Sequence, residues 1–206
     1  MVMKLPWKKK PRKLVDRDYS LMMVPERYRQ ATWERAEMSP EAVKALADYR
    51  GRLHDAWEKG LGLYIWGPLG SGKTSIAAMV LCELRSHGQP GLFARADKLQ
   101  RSRFDKIHIS EEHPDMWAYA REVRVLVVDD FGKSYRDDKG FSDYDFESLI
   151  RDRYDNMLVT IVTSNVAPSQ FQGDFALKES TQSVLKASTV AVCVRGIDHR
   201  EHEGKL

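Results

Sequence analysis

Apolar positions along the chain follow two periodicities. The runs Leu61–Trp66, Gly91–Ala94, Val123–Val128 and Leu158–Thr163 are short and almost uninterrupted, and each predicts a strand buried on both faces. Ala187–Val194 predicts a fifth. Between them the spacing turns helical. Pro40 follows Ser39 at a first helical turn, and Val43, Leu46, Ala47, Leu53 and Trp57 recur near helical spacing, which predicts a helix from Pro40 to about Lys59. Ser75–Leu84, Asp97–Ile109 and the amphipathic Tyr144–Tyr154 predict three more. Phe131–Phe141, rich in glycine and charge, predicts a loop. Strands that alternate with helices predict an α/β fold with a parallel sheet covered on both sides.

The first strand leads into Gly67-Pro68-Leu69-Gly70-Ser71-Gly72-Lys73-Thr74, which fits G-x-x-x-x-G-K-[ST]. Glycines let such a loop curl so that several N–H groups converge on one anion. The helix that follows adds its positive end. Lys73 reaches the β- and γ-phosphates of a nucleotide, and Thr74 offers a hydroxyl to Mg²⁺. A strand before the loop and a helix after it are the context the motif requires.

Composition narrows the class. The chain has 206 residues, 42% of them hydrophobic, enough for one domain with a proper core. No apolar run approaches the roughly 20 residues that span a bilayer, and none follows the basic start, which speaks against a membrane protein and a secretory signal. Cys82 and Cys193 fall in a predicted helix and a predicted strand, so both read as small core residues of a cytoplasmic protein. The net charge of +3 is uneven. Lys4, Lys8, Lys9, Lys10, Arg12 and Lys13 stand in a stretch without acids, and the rest of the chain holds 27 basic against 30 acidic residues. The division is then a basic flexible arm over residues 1–20 and an ATPase domain over 21–206.

Two further strand ends add chemistry. Val125–Val128 runs into Asp129-Asp130. A carboxylate at the carboxyl edge of a parallel strand sits at the ligand crevice. Asp129 would bind Mg²⁺ directly or through water, and Asp130 would orient or activate the attacking water; alternatively, the acids merely begin a polar turn. Asp130-Phe131-Gly132 spells a protein-kinase triplet, but the H-R-D catalytic loop is missing. Thr163-Ser164-Asn165 ends the next strand. Beside the first strand, Asn165 would hold the lytic water and sense the γ-phosphate; otherwise it starts a turn before Pro168. Lys98, Arg101, Arg103, Phe104 and Lys106 mix cations with a ring, as single-strand binders do, or form the solvated face of a helix. His108, Glu111, Glu112, His113 and Asp115 fit no metal-site spacing and read as a hydrated loop.

In order, Val24-Pro25-Glu26-Arg27-Tyr28-Arg29, Gly67–Thr74, Val125–Gly132, Arg153-Tyr154, Thr163-Ser164-Asn165 and the closing Gly196-Ile197-Asp198-His199-Arg200 resemble AAA+ ATPases of the DnaC/DnaI helicase-loader and IstB group. The resemblance covers roughly residues 24–200. It implies an AAA+ P-loop NTPase core, a five-stranded parallel sheet of order 5-1-4-3-2 between helices. It also implies ATP and Mg²⁺ as cofactors, with Tyr28 among the nucleotide-binding residues and Lys73, Asp129, Asp130 and Asn165 catalytic. Self-association in an ATP-dependent ring, spiral or filament, and a grip on single-stranded DNA for a replicative helicase, follow from the same resemblance.

The chain departs from that pattern at three places. Val184 stands where the group carries a trans-acting arginine, so Arg151, Arg153 and Lys186 become the candidates for that role. Only a short basic arm stands where the group has a helicase-gripping domain. Six residues follow Arg200, too few for the helical lid of most AAA+ proteins, so the lid domain is expected to be absent. Arg200 itself is either a residual phosphate sensor or a solvated charge. The expected function is therefore an ATP-dependent protein that binds single-stranded DNA and loads or remodels a replicative helicase. The alternatives are an IstB-like transposition ATPase, a small-molecule kinase and a non-hydrolysing nucleotide switch.

Overall fold

The computed structural model describes residues 7–36, 38–105, 107–109, 115–132, 143–171 and 179–195. Five strands, β1 (Gly62–Trp66), β2 (Gly91–Arg95), β3 (Val125–Phe131), β4 (Val159–Ser164) and β5 (Thr189–Cys193), form one sheet of order β2-β3-β4-β1-β5. Every neighbouring pair is parallel. Read from the other edge, this is the expected order 5-1-4-3-2.

Strand side chains alternate between two buried layers, as a sheet covered on both faces demands. Leu63, Ile65, Phe93, Val125, Val127, Ile161 and Val192 share one core with α2 (Pro40–Gly51), α3 (Leu53–Glu58) and α4 (Lys73–Ser86). Tyr64, Leu92, Leu126, Val128 and Val162 share the other with α5 (Ala96–Arg101), α6 (Met116–Glu122), α7 (Asp143–Asp155) and α8 (Glu179–Ser188). The α4 layer matters most for the site, because residues 95, 129 and 163 continue its parity at the carboxyl ends of β2, β3 and β4.

Three expected elements change. The single helix over 40–59 is two, broken at Arg52, whose backbone (φ −119°, ψ 27°) leaves the helical region just after Gly51. Its buried face is Ala42, Leu46, Tyr49, Leu53, Ala56 and Trp57, while Val43 is 47% exposed. The helix expected over 97–109 ends at Arg101, where the buried Ser102 hydroxyl donates to Leu99 O at 2.6 Å and closes the turn. The last strand starts at Thr189 rather than Ala187. The Ser188 and Thr189 hydroxyls donate to the Val184 and Leu185 carbonyls (2.7 and 2.6 Å) and extend the end of α8.

The described part of the basic arm is joined to the body. From Trp7 onward it packs down: the Lys8 amide donates to His87 O and the Arg12 amide to Ser86 O, both at 3.0 Å. Arg12 and Arg85 both pair with the buried Asp18 of α1 (Asp16–Leu21), holding its carboxyl far below the usual carboxylate range. Met22 O then accepts the Phe93 amide at 2.7 Å, which covers part of the β2 edge. No described helix is long and apolar enough to cross a membrane.

Candidate nucleotide site

The phosphate loop is shaped by its neighbours as well as by its own glycines. Gly67 follows β1 so closely beside the end of β5 that an added Cβ would stand 2.0 Å from Val194 O. Gly72 has open space around it but a left-handed backbone (φ +88°) at the N-cap of α4, so conformation rather than room demands glycine there. The buried Ser71 hydroxyl donates to Pro68 O at 2.9 Å and tightens the turn, leaving Leu69 projecting outward. Lys73, the first residue of α4, is buried, and its ammonium donates to Gly67 O at 2.9 Å and to Pro68 O. Both carbonyls are neutral acceptors, weaker than phosphate oxygens.

The acids stand on β3, two strands from β1 with β4 between them. Asp129 is buried, and Oδ1 accepts from the Thr163 hydroxyl at 2.6 Å. Burial raises its carboxyl above the ordinary value of 3.8, opposed by hydrogen bonds from the Thr163 and Thr74 hydroxyls. A hydroxyl and a carboxylate side by side are hard oxygen donors of the kind Mg²⁺ prefers, and a bound dication would favour the charged carboxylate. The residues present therefore fit the ion.

The backbone turns at Asp130. The pairing of β3 with β4 shifts register between Val128 and Phe131, and Asp130 takes a left-handed φ of 58°. Its amide donates to the Thr163 hydroxyl at 2.9 Å. Thr163 therefore bridges Asp129 and Asp130, accepting from one and donating to the other. Sequence reading gave Thr163 no role; its place in the Thr-Ser-Asn string was the available signal. Ser164 ties the two strands again, donating to Phe131 O at 2.8 Å and accepting the Val166 amide at 3.1 Å.

Asn165 comes next, beyond the end of β4 and so beside β1, whose Trp66 pairs with Ser164. Val166 is held on both sides, since Tyr64 donates its hydroxyl to Val166 O at 2.9 Å. The Asn165 amide oxygen is buried and has no hydrogen-bond partner among the described residues. A buried acceptor in that condition is costly unless a ligand or water serves it. Arg95, which sequence reading did not single out, is the register partner of Asp129 and draws its carboxyl down. Tyr28 is half-buried against Phe93, ring centroids 6.3 Å apart, in the core layer shared with α4.

The trans-acting candidates separate sharply. Arg153 is 0% exposed. Its guanidinium donates to Thr160 Oγ1, Ala120 O, Val123 O and Val159 O at 2.6–2.9 Å. It cannot reach a neighbouring subunit, which corrects that assignment. Arg151 is exposed and pairs with Glu147 at 3.5 Å, and Lys186 is exposed on α8. Val184 is packed in the core.

Of the basic segment, Lys98 and Arg101 are exposed on α5, while Ala96 and Leu99 are buried. Phe104 is 69% exposed, with the Arg103 guanidinium 5.5 Å from its ring centre, so it is not a core residue. Lys106 and the closing Gly196–Arg200 string lie outside the described residues, as do Glu111, Glu112 and His113. No cluster suited to a metal occurs among the histidine, cysteine and acidic side chains of the described residues.

No family model matches the chain, and neither does any curated protein compared with it. Solved structures do. A structure of DnaI is 22% identical over 89% of this chain and 100% of its own, with a TM-score of 0.70. One of the DnaC helicase loader is 24% identical over 83% and 100%, TM-score 0.68. AMPPCP-bound DnaA from Aquifex aeolicus is 17% identical over 81% of this chain and 50% of its own, TM-score 0.63. Likeness at these identities establishes architecture. The chain shares its fold, a five-stranded parallel sheet between helices with the layout of a P-loop NTPase core, with these DnaI, DnaC and DnaA structures.

Proposed function

We propose that this protein is an Mg²⁺-dependent ATPase that assembles with ATP, binds single-stranded DNA, and loads or remodels a replicative helicase. The observation that carries the ATPase reading is the unpartnered Asn165 oxygen beside a loop lysine and two bridged aspartates. Lys73 binds the β- and γ-phosphates. Thr74 and Asp129 hold Mg²⁺, which when bound neutralises phosphate charge. Asn165 orients the attacking water, and Asp130 accepts its proton as it adds to the γ-phosphorus. The helicase and DNA assignments draw on the likeness to a DnaC helicase loader and on the exposed Lys98, Arg101 and Phe104.

A slower nucleotide switch is the second reading. It is favoured by Val184 and Arg153, both buried where a subunit-bridging arginine would have to be exposed. The test is mass measurement with a non-hydrolysable ATP analogue, with and without oligothymidylate. Growth in mass with nucleotide and further with DNA supports the assembly. A monomer under every condition points to the small-molecule kinase. Capture of helicase or of transposase then separates a loader from an IstB-like ATPase. Turnover per assembled subunit distinguishes the switch.

A further inference from the structure

Arg103 does not stand free for a phosphate. Its guanidinium is ion-paired with Asp145 in the first turn of α7. The pair is lopsided: the Arg103 side chain is 39% exposed and that of Asp145 only 7%. An anion arriving from solvent can take Arg103, but Asp145 would be left in place, nearly dry and without its cation. That is an expensive condition for a carboxylate. The next residue, Phe146, is buried and stacks on Phe131, with ring centroids 4.0 Å apart and planes at 24°. Phe131 directly follows Asp130, and its carbonyl is held by Ser164. A short physical chain thus runs from the exposed Arg103–Phe104 surface through Asp145, Phe146 and Phe131 to the proposed water-activating acid.

We propose that the Arg103–Asp145 ion pair is the coupling element between strand binding and ATP turnover. The inference rests on the DNA and ATPase reading above and adds its regulation. With the pair closed, Phe146 holds Phe131, and Asp130 stays in its left-handed turn on Thr163. A phosphodiester that takes Arg103 releases Asp145, the first turn of α7 resets, and the Phe131 ring loses its stacking contact with Phe146. The turn at Asp130 then shifts and brings the carboxylate to water. Asp145 and Phe146 are positioning residues in this scheme, since neither touches nucleotide.

The experiment uses the full chain, oligothymidylate and steady-state ATP turnover, with thermal melting as a folding control. Wild type should show a severalfold rise in kcat with the oligonucleotide and a KM for ATP changed by less than about twofold. Asp145→Asn leaves the Arg103 charge unneutralised. It should bind oligothymidylate about tenfold tighter, with a salt slope steeper by about 0.7. Its basal kcat should already equal the stimulated rate, and DNA should add nothing. The affinity gain should vanish when Arg103→Gln is added. Phe146→Leu tests the relay without touching the ion pair: strand affinity should stay within about twofold of wild type while stimulation is lost. DNA binding by wild type with unchanged kcat overturns the inference, as does an Asp145→Asn or Phe146→Leu protein stimulated like wild type. Failure of wild type to bind the oligonucleotide instead removes the DNA reading itself.

Discussion

The two ends of β4 hold buried polar side chains in opposite conditions. Below its start, Arg153 gives four hydrogen bonds to fixed acceptors, three of them backbone carbonyls. Arg124 beside it donates to Trp57 O and Met157 O, with its Nε left over. Beyond the other end, Asn165 has a buried oxygen with no donor, Lys73 rests on its own loop, and burial pushes the Asp129 carboxyl up. Both regions bury charge. The first draws nearly all its partners from the fold, Arg124 Nε excepted. The second sets an unserved acceptor at the strand ends, where a nucleotide and its ion would complete it, and it is that setting together with the unserved group that marks the site.

The largest break in that contrast is Asp130→Asn. It should bind ATP normally and lose about 10²- to 10⁴-fold in turnover, because a carboxamide cannot accept the proton. Single-turnover hydrolysis reads it, and full activity would remove β3 from catalysis. Lys73→Ala should weaken a fluorescent ATP analogue by about 10- to 100-fold, the loss of a charge-assisted contact, with the melting transition preserved. Unchanged affinity there would dissolve the phosphate-loop assignment.

Arg153→Met should do the reverse. Three backbone carbonyls lose their donor, so urea denaturation should show a loss of about 3 kcal/mol. Nucleotide affinity of the remaining folded protein should not move. A stable Arg153→Met protein defective only in assembly would restore the trans-acting role.

The smallest effect is a pH dependence. Asp129 has a folded-state value above its unfolded 3.8, so its charging disfavours the folded state. The associated stability is fully present below the unfolded value and is lost as pH rises through the folded one. Without Mg²⁺, Asp129→Asn should therefore melt slightly higher than wild type at neutral pH, and the gap should close toward acid. With Mg²⁺ and nucleotide the order should invert, since the ion needs the carboxylate. A melting difference independent of both pH and Mg²⁺ would mean that Asp129 is not the ion's ligand.

Elements whose causes are local were legible in the sequence. Apolar runs located the strands, because residues buried on both faces must be apolar whatever lies against them. The turn between β1 and α4 was legible because its glycines and lysine fit one motif over eight adjacent positions. Asp129, Asp130 and Asn165 were legible as strand ends in order. What the tertiary structure decided depends on residues far apart in the chain. Gly67 is needed because Val194 passes over it. Thr163 acquires its role only when β4 lies beside β3 and brings one hydroxyl to both aspartates. Arg153, a candidate for the trans-acting role in the sequence, is buried because α6 and β4 bring carbonyls around it. Arg103 is joined to Asp145 across 42 residues. Local sequence sets which groups a segment offers. Only packing sets which of them find partners within the fold and which are left for a ligand.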